Sequence, residues 1–206
     1  MNYLFIDTAE GTRALLFAGD AYYYDEDFAG SGSETLMPMI DRLLSRAGVK
    51  LNDLDVLGAC IGPGSFTGLR IGLTTVKAIC YALDKPCFAV NNLRLNSYNN
   101  GSGKVISLAD AGNKVCYVAR YDGDTEEDAA FLLTRDDALK YVAEHGDYAV
   151  TTDNKLAAVF ENAVSAVGEA ELKTAAQKHI ANIIPQKDLL PLYVRKAQPE
   201  RESGDL

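Results

Sequence analysis

The residues whose types and spacing most suggest chemistry lie at 61–83, a stretch that begins rich in glycine, serine and threonine. A nucleotide-binding loop needs glycines where the backbone turns or approaches phosphate closely. Gly62 and Gly64 fit the first two glycines of the dinucleotide-binding pattern, but Gly68 comes one position too late. No glycine here is followed by Lys-Ser/Thr as in a P-loop, and Ser65 lacks the flanking glycines of a nucleophile elbow. The spacing therefore disfavours all three enzyme sites and predicts a strand, a tight turn and a helix.

This turn is predicted to be shaped by Gly62, Pro63, Gly64 and Ser65. Pro-Gly is a strong turn signal, and we expect Gly64 to adopt a positive φ. Ser65 or Thr67 can cap the helix that follows. Such a turn directs free backbone amide groups towards whatever lies above it.

Two aspartates stand at corresponding places in the two halves of the chain. Asp7 and Asp110 each end an apolar run, and each is followed by a small-residue turn and a second run that leads to Gly-Asp. This repeat favours two ribonuclease-H-like domains facing each other across a cleft, with two unrelated hairpins as the alternative. Asp7, Thr8 and Asp110 would then be close to a bound nucleotide. Asp7 could hold a hydrated Mg²⁺ or, equally, bond its own backbone in a turn.

Histidine and cysteine give no sign of a metal site. His145 and His179 are far apart in sequence, so they cannot form a His-x-x-x-His pair, and both are expected at the surface or at helix ends. The cysteines show no Cys-x-x-Cys spacing and are predicted to be buried, reduced thiols. They are Cys60, Cys80, Cys87 and Cys116.

The apolar periodicity predicts the elements that position these residues. Strands are expected over 3–8, 12–19 and 21–28, then a helix over 33–48 with Gly48 as its C-cap, and a buried strand over 54–61. The helix after the turn leads to a strand over 85–90. Residues 91–103 are polar and glycine-rich, so they are predicted to be a domain linker. In the second half, helices are predicted over 136–146 and 154–168, with the segment 148–153 between them.

The composition is that of a globular chain. Its 206 residues, 48% of them hydrophobic, suffice for one large domain or two small ones. The formal charge of −9 disfavours unaided binding of nucleic acid or an anionic membrane, because their phosphates would be repelled. No apolar run approaches the roughly 18 residues of a membrane span and no export leader is visible, so a cytoplasmic protein with a basic partner is expected.

Small residues on one face of the second helix suggest a close helix contact. Gly68 and Gly72 are four residues apart, so another helix backbone can approach there, although each glycine costs about 1 kcal/mol relative to alanine. The first helix is apolar on two sides. We therefore predict that the two helices pair with an equivalent surface of another chain. The predicted protein interface comprises Leu36, Met39, Ile40, Leu43, Gly68, Leu69, Gly72, Thr75, Val76 and Ile79.

Several strings together resemble one protein family. GPGSFTGLRIG (62–72), IDTA (6–9), LMPMIDRLLSRAG (36–48) and LPLYVRKA (190–197) closely resemble the TsaB family, also called YeaZ. The match is most specific in the first half; in the second it rests on DAGNKVCYVARYD and PLYVR. The resemblance implies an α/β fold of the actin/Hsp70/sugar-kinase (ASKHA) type. Its two ribonuclease-H-like domains would cover 1–100 and 101–206, and the second would be reduced.

The same resemblance implies a function. Members are non-catalytic scaffold or activator subunits of bacterial tRNA threonylcarbamoyladenosine (t6A) synthesis, which dimerise with the catalytic paralogue TsaD and engage the ATPase TsaE through that pair. The His-x-x-x-His metal motif of TsaD would follow the strand at 85–90, where this chain reads NNLRL. No metal or cofactor is therefore expected in the isolated chain, with ATP or ADP bound only in complex. A homodimer in isolation and only indirect contact with tRNA are also implied.

The chain departs from the family pattern in three places. Thr8-Ala9 stands where members more often have Thr-Ser, NNLR at 91–94 stands where Ser-Leu-Glu is more usual, and the second half is short. The first and last departures further disfavour nucleotide hydrolysis by this chain alone, whereas NNLR affects only local helix capping. Two other functions stay open: an ATP-dependent kinase or ATPase of the same fold that uses Asp7 and Asp110, and a zinc peptidase, which the histidine positions disfavour.

Overall fold

The computed structural model describes residues 1–100, 103–165 and 167–194, and in these ranges the strands form two five-stranded sheets. The first sheet contains β1 (Asn2–Asp7), β2 (Thr12–Ala18), β3 (Ala21–Asp27), β4 (Val56–Gly62) and β5 (Cys87–Asn91). The second contains β6 (Lys104–Asp110), β7 (Val115–Asp122), β8 (Thr125–Thr134), β9 (Ala149–Thr152) and β10 (Val164–Ser165). The helices are α1 (Gly32–Ala47), α2 (Phe66–Leu83), α3 (Asn92–Ser97), α4 (Arg135–Glu144) and α5 (Glu169–His179).

The two sheets share one topology, which confirms that the sequence repeat is structural. The first has the order β3-β2-β1-β4-β5, and the second has the matching order β8-β7-β6-β9-β10. In both, the first strand pairs antiparallel with the second and parallel with the fourth. The predicted α/β class and the hairpin in each half are therefore confirmed.

Helix α1 forms where the apolar periodicity predicts it. Five of its residues are buried on one stripe against the first sheet, and Gly48 ends the helix in the left-handed conformation with φ 68. The buried residues are Leu36, Met39, Ile40, Leu43 and Leu44. The second apolar side predicted for this helix consists of one large exposed side chain, that of Met37, which is 43% exposed.

The polar stretch after β5 is not a linker, and that prediction is wrong. It forms the short helix α3, in which every residue is buried, because α3 packs against β6 and β7 of the second sheet. Leu93 joins a small cluster with Ala109, Ala119 and Tyr121. Some polar residues of α3 are paired inside the protein: Asn92 Nδ2, for example, donates to the Pro63 carbonyl over 3.0 Å. Asn96 differs, because its buried Nδ2 has no hydrogen-bond partner among the described residues.

The helix predicted over 154–168 in the second half is wrong. Turns join β9 to β10, and Leu156 and Phe160 enter the core of the second sheet from these turns. The Asp153 carboxylate holds the first turn, since Oδ1 accepts from the Leu156 amide at 2.9 Å and Oδ2 from the Asp110 amide at 2.6 Å. The apolar residues of this segment have a spacing that is compatible with a helix, but turns bring them into the core instead.

The last described segment returns to the first sheet. Helix α5 contributes Leu172 and Ala176 to the first core, and Leu189 beyond it is fully buried there. Cys87 and Ile184 exchange two backbone hydrogen bonds, so the segment adds a short bridge beside β5. The motif predicted at 190–197 is described only up to Val194; residues 195–197 lie outside the described residues. Within the described ranges, no helix combines the length and apolar character that a membrane crossing requires.

Candidate functional site

Asp7 lies at the carboxyl end of β1, where a nucleotide-binding cleft was predicted, but its carboxylate is already engaged. The side chain is fully buried and forms an ion pair with Arg13, whose Nε donates to Oδ2 over 3.0 Å. The other oxygen accepts the Ala9 amide at 2.9 Å. Of the two roles weighed for Asp7, the turn-forming one is therefore the role that these contacts support.

Asp110 occupies the equivalent place in the second half and is paired in a similar way. Its Oδ1 atom lies 3.0 Å from Nη2 of Arg135. Arg13 also contacts the second half of the chain, where Nη1 donates to the Val167 carbonyl. The two predicted aspartates thus belong to ion pairs that help to order the cleft.

Glu10 is the cleft residue that sequence reasoning missed. Its side chain is exposed to solvent, but the surrounding protein partly desolvates the carboxylate, which raises its pKa to about 7. The negative charge of Asp153 raises it further, whereas Arg13 and Lys155 oppose the shift. A lone glutamate in a turn carries no signal in the sequence, because two of the charged residues that act on it, Asp153 and Lys155, come from the other half of the chain.

The strand-to-helix turn has the predicted residues but assigns them different tasks. Gly62, not Gly64, has the positive φ, at 96. Gly64 is needed for a close approach instead, because a Cβ there would lie 2.8 Å from the Ala9 carbonyl oxygen. Ser65 is the N-cap of α2, and its Oγ accepts from the Gly68 amide over 3.1 Å.

The prediction that Gly68 and Gly72 face another chain is wrong. A Cβ on Gly68 would lie 2.2 Å from the Thr8 carbonyl oxygen, and one on Gly72 would lie 2.3 Å from Thr8 Oγ1. The close approach therefore occurs inside the chain, between α2 and the end of β1. Thr8 itself is 4% exposed and lies against this glycine face.

Most other residues predicted for the interface are buried in the first core, which corrects that assignment. Side chains with at most 8% exposure cannot reach a partner unless the domain opens. These residues are Leu36, Met39, Ile40, Leu43, Leu69, Val76 and Ile79. Thr75, by contrast, is half-buried and borders the surface.

The outer side of α1 and α2 nevertheless presents an apolar surface, which we call the helix-pair face. One groove on it, of ≈ 410 Å³, is lined by Met37, Leu51, Thr74, Thr75, Ala78, Ile79, Ala82 and Leu83. The face continues to the start of α2, where the Arg70 guanidinium lies 3.9 Å from the centre of the Phe66 ring. Tyr193 packs on the same ring, with the two ring centres 5.5 Å apart.

The histidines lie at helix ends, as expected. His145 caps α4 with Nδ1 2.8 Å from the Tyr141 carbonyl, and His179 ends α5 with Nε2 3.1 Å from the Tyr98 hydroxyl. Burial, followed by the charge of Arg94, lowers the pKa of His179. Across the described residues, no group of three or more His, Cys, Asp and Glu side chains could hold a metal ion. All four cysteines are buried and free of disulfides.

Comparison with known proteins identifies relatives of this chain. Residues 27–191 match the family model for TsaD, tRNA N6-adenosine threonylcarbamoyltransferase. The Haemophilus influenzae protein TsaB, described as a tRNA threonylcarbamoyladenosine biosynthesis protein, is 35% identical over 80 residues, which are 39% of this chain and 34% of that protein. A transferase from Novosphingobium aromaticivorans is 48% identical over 65 residues, or 32% of this chain and 19% of the relative. The matches thus span about a third or less of these relatives.

Two solved structures from Pseudomonas aeruginosa share the fold. An uncharacterized protein described as similar to peptidase YEAZ has a TM-score of 0.81 and 24% identity, over 94% of this chain and 99% of the other. The structure of YeaZ has a TM-score of 0.76 and 21% identity, over 93% and 99% of the two chains. Together with the two sheets of matching topology, these neighbours confirm the ASKHA-type fold.

Proposed function

The chain belongs to the family described by the TsaD model and, within it, to the TsaB (YeaZ) group, and from this premise we propose that it is a non-catalytic subunit of tRNA t6A synthesis. It acts as a scaffold or activator that dimerises with TsaD, and the ATPase TsaE engages that pair. The protein works in the cytoplasm, and its contact with tRNA is indirect.

The observation that carries this proposal is the structural use of residues 91–95. The resemblance implies that the transferase has its histidine motif at this place, whereas here Asn91 caps α3 by accepting from the Leu93 amide at 2.8 Å. Asn92 ties α3 to Pro63, and Arg94 bonds both the Gly123 carbonyl and the Asp124 carboxylate at 2.8 Å. These side chains hold α3 between the two sheets and provide no imidazole. The transfer chemistry is therefore assigned to the partner.

The helix-pair face is the surface proposed for TsaD. It combines a large exposed methionine, Met37, with small residues such as Ala78, so that a partner helix can approach closely. Tyr81, further along α2, is 79% exposed. In the absence of TsaD, a second copy of the chain is proposed to cover the same face.

A charge placed on this face tests the pairing. Ala78→Glu puts a carboxylate in the apolar groove, so we expect TsaD to bind much more weakly, while the melting temperature of the isolated chain stays unchanged. Ala143→Glu makes the same change on the exposed side of α4 and serves as the matched control. Calorimetric titration of each variant with TsaD gives the affinity. Equal affinity of both variants would exclude the helix-pair face as the binding surface.

A separate assay tests the non-catalytic role. We propose that the isolated chain needs no cofactor, that ATP or ADP binds only in complex with TsaD, and that ATP turnover by the chain alone is negligible. Phosphate release is measured with and without TsaD and TsaE. Turnover by the chain alone that is lost in Asp7→Ala would instead support the ATPase alternative.

A further inference from the structure

Three buried polar side chains on α3 and the second sheet have no hydrogen-bond partner among the described residues. Asn96 of α3 is 2% exposed, and Ser107 of β6 and Thr151 of β9 are both 0% exposed. The unpaired atoms are Nδ2 of Asn96 and the hydroxyl oxygens of Ser107 and Thr151. A buried polar group without a partner costs free energy, so a group that bonds these atoms is expected.

The register of the second sheet places the two hydroxyl groups side by side. Ser107 and Thr151 are opposite each other on the parallel strands β6 and β9, so their side chains leave the sheet on the same face. Ala109, two residues after Ser107, identifies this face because it packs with Leu93 of α3. Both hydroxyl groups therefore point into the layer between the second sheet and α3.

Asn96 lies in the same layer. It comes three residues after Leu93, so the two side chains are neighbours on one side of α3. Helix α3 contacts both β6 and β9, and the turn that follows it, Tyr98–Asn100, contacts β9 as well. Asn96 is thus placed between Leu93, which lies over β6 and β7, and the turn that lies over β9.

The surroundings of the three groups suit a small neutral molecule. Ala119 is opposite Ser107 on β7, and Ala119 and Ala109 have side chains of a single carbon, which leave space beside the Ser107 hydroxyl. The amide nitrogen of Asn96 only donates, whereas each hydroxyl can donate or accept. Since none of the three side chains is charged, the set matches a water molecule, which also donates and accepts.

We propose that one water molecule is bound at this place, between α3, β6 and β9. Its oxygen accepts from Asn96 Nδ2, and it makes one hydrogen bond to each of the Ser107 and Thr151 hydroxyl groups. A buried water typically makes about three hydrogen bonds in a protein. The water joins the helix that follows the first sheet to two strands of the second sheet, and it does not depend on pairing with TsaD.

A crystal structure of the isolated chain at atomic resolution tests the site directly. We expect one ordered water within hydrogen-bond distance of Asn96, Ser107 and Thr151. The proposal is overturned if no such water is found, or if the Asn96 amide is turned so that it bonds one of the two hydroxyl groups itself.

Removing one hydroxyl group tests the bond in solution. Thr151→Val keeps the shape of the side chain, so with water bound it breaks a hydrogen bond and should lower the melting temperature by about 2–4 °C. A hydroxyl that had no partner would be replaced without loss. Thr152→Val is the matched control, because the Thr152 hydroxyl is also buried without a described partner but lies on the opposite face, beside Leu108 of the apolar core. Its melting temperature should not fall.

A double variant tests whether the two hydroxyl groups bond the same water. Groups that share one hydrogen-bonded partner are energetically coupled, so Ser107→Ala combined with Thr151→Val should lose less stability than the sum of the single losses. Urea unfolding of the four proteins of this cycle measures the coupling. Additive losses, or a Thr151→Val protein at least as stable as the wild type, would contradict a shared water.

Discussion

At the scale of single residues, the cleft is ordered by charges that neutralise one another. Asp7 is fully buried, and its negative charge would destabilise the folded state if it were not paired with Arg13. The guanidinium of Arg13 lies against this carboxylate and also donates to the Val167 carbonyl. The same arginine offsets part of the negative charge around Glu10. These contacts explain why Asp7, which stands where a nucleotide-proximal residue was predicted, has a structural role here.

Removing the arginine should destabilise the protein strongly. Arg13→Met leaves the Asp7 carboxylate buried and unpaired, and losing one partner of a buried pair typically costs about 3–5 kcal/mol. Urea unfolding at neutral pH measures the loss. Arg42→Met breaks an exposed pair with Asp25 and should cost less than about 1 kcal/mol. Similar losses for the two variants would show that the buried pair contributes no more than the exposed one.

The raised pKa of Glu10 should appear in the pH dependence of stability. In the unfolded chain the carboxyl has its ordinary pKa of 4.5, and in the folded chain the pKa is about 7. Between these values the folded state binds the proton more tightly, so the contribution of Glu10 to stability is greatest below pH 4.5, decreases as the pH rises and levels off above about 7. Glu10→Gln should therefore melt at a higher temperature than the wild type at pH 8, with a smaller difference at pH 5. Glu144→Gln, on the exposed side of α4, should show no such trend.

At the scale of elements, α2 is positioned by the absence of side chains. Gly68 and Gly72 let the helix approach Thr8 more closely than any other residue type would permit. The turn before the helix has a similar requirement, because Gly64 lies against Ala9 and the Ser65 amide donates to the Ala9 carbonyl at 2.8 Å. The string around this turn is thus explained by close packing of α2 on β1.

Alanine at Gly72 separates packing from helix propensity. Alanine is the better helix former by about 1 kcal/mol, but its Cβ would lie 2.3 Å from Thr8 Oγ1. We expect Gly72→Ala to lower the free energy of unfolding by about 1–3 kcal/mol through overpacking. Gly146→Ala is the control, because a Cβ there would meet nothing nearer than 3.9 Å. A Gly72→Ala protein as stable as the wild type would mean that α2 can move away from β1 at little cost.

At the scale of the whole molecule, the two sheets are tied together by α3 and α5. Arg94 of α3 lies between the rings of Tyr98 and Tyr121, 4.8 Å from each ring centre, and bonds the turn between β7 and β8. Lys178 of α5 bonds Asp124 in the same turn. Because α5 also packs Leu172 and Ala176 into the first core, the helix that follows each sheet contacts the other half of the chain.

Removing the contacts of Arg94 with the turn between β7 and β8 should weaken the coupling between the two halves of the chain. Arg94→Met keeps an apolar stem but removes the bonds to Gly123 and Asp124. Calorimetry of the wild type should show one transition, whereas the variant should show a broadened or double transition, because each sheet has its own core. Lys104→Met breaks an exposed pair with Asp147 inside the second half and should keep a single transition. A single, shifted transition in Arg94→Met would indicate that the core contacts alone couple the halves.

The sequence by itself determined the local structure of this protein. The apolar periodicity placed α1 and the paired hairpins, the repeat around Asp7 and Asp110 predicted two matching sheets, and Gly48 and Ser65 marked helix ends. These features depend on residues close together in the chain, whose conformational preferences and hydrogen bonds are local. The family resemblance also followed from contiguous strings.

Only the tertiary structure decided which surface each element faces. Gly68 and Gly72 indicate a close helix contact, but nothing in their spacing says that Thr8 of the same chain makes it. The polar composition of α3 indicated a linker because its partners, on β6 and β7, come later in the chain. Glu10 has a raised pKa because the surrounding protein desolvates its carboxylate, and the charge of Asp153, from the second half of the chain, adds to the shift. In each case the structure is decided by a packing or electrostatic contact between segments that are distant in sequence. A local sequence pattern can indicate that a residue makes a close contact, but it does not identify the residue on the other side.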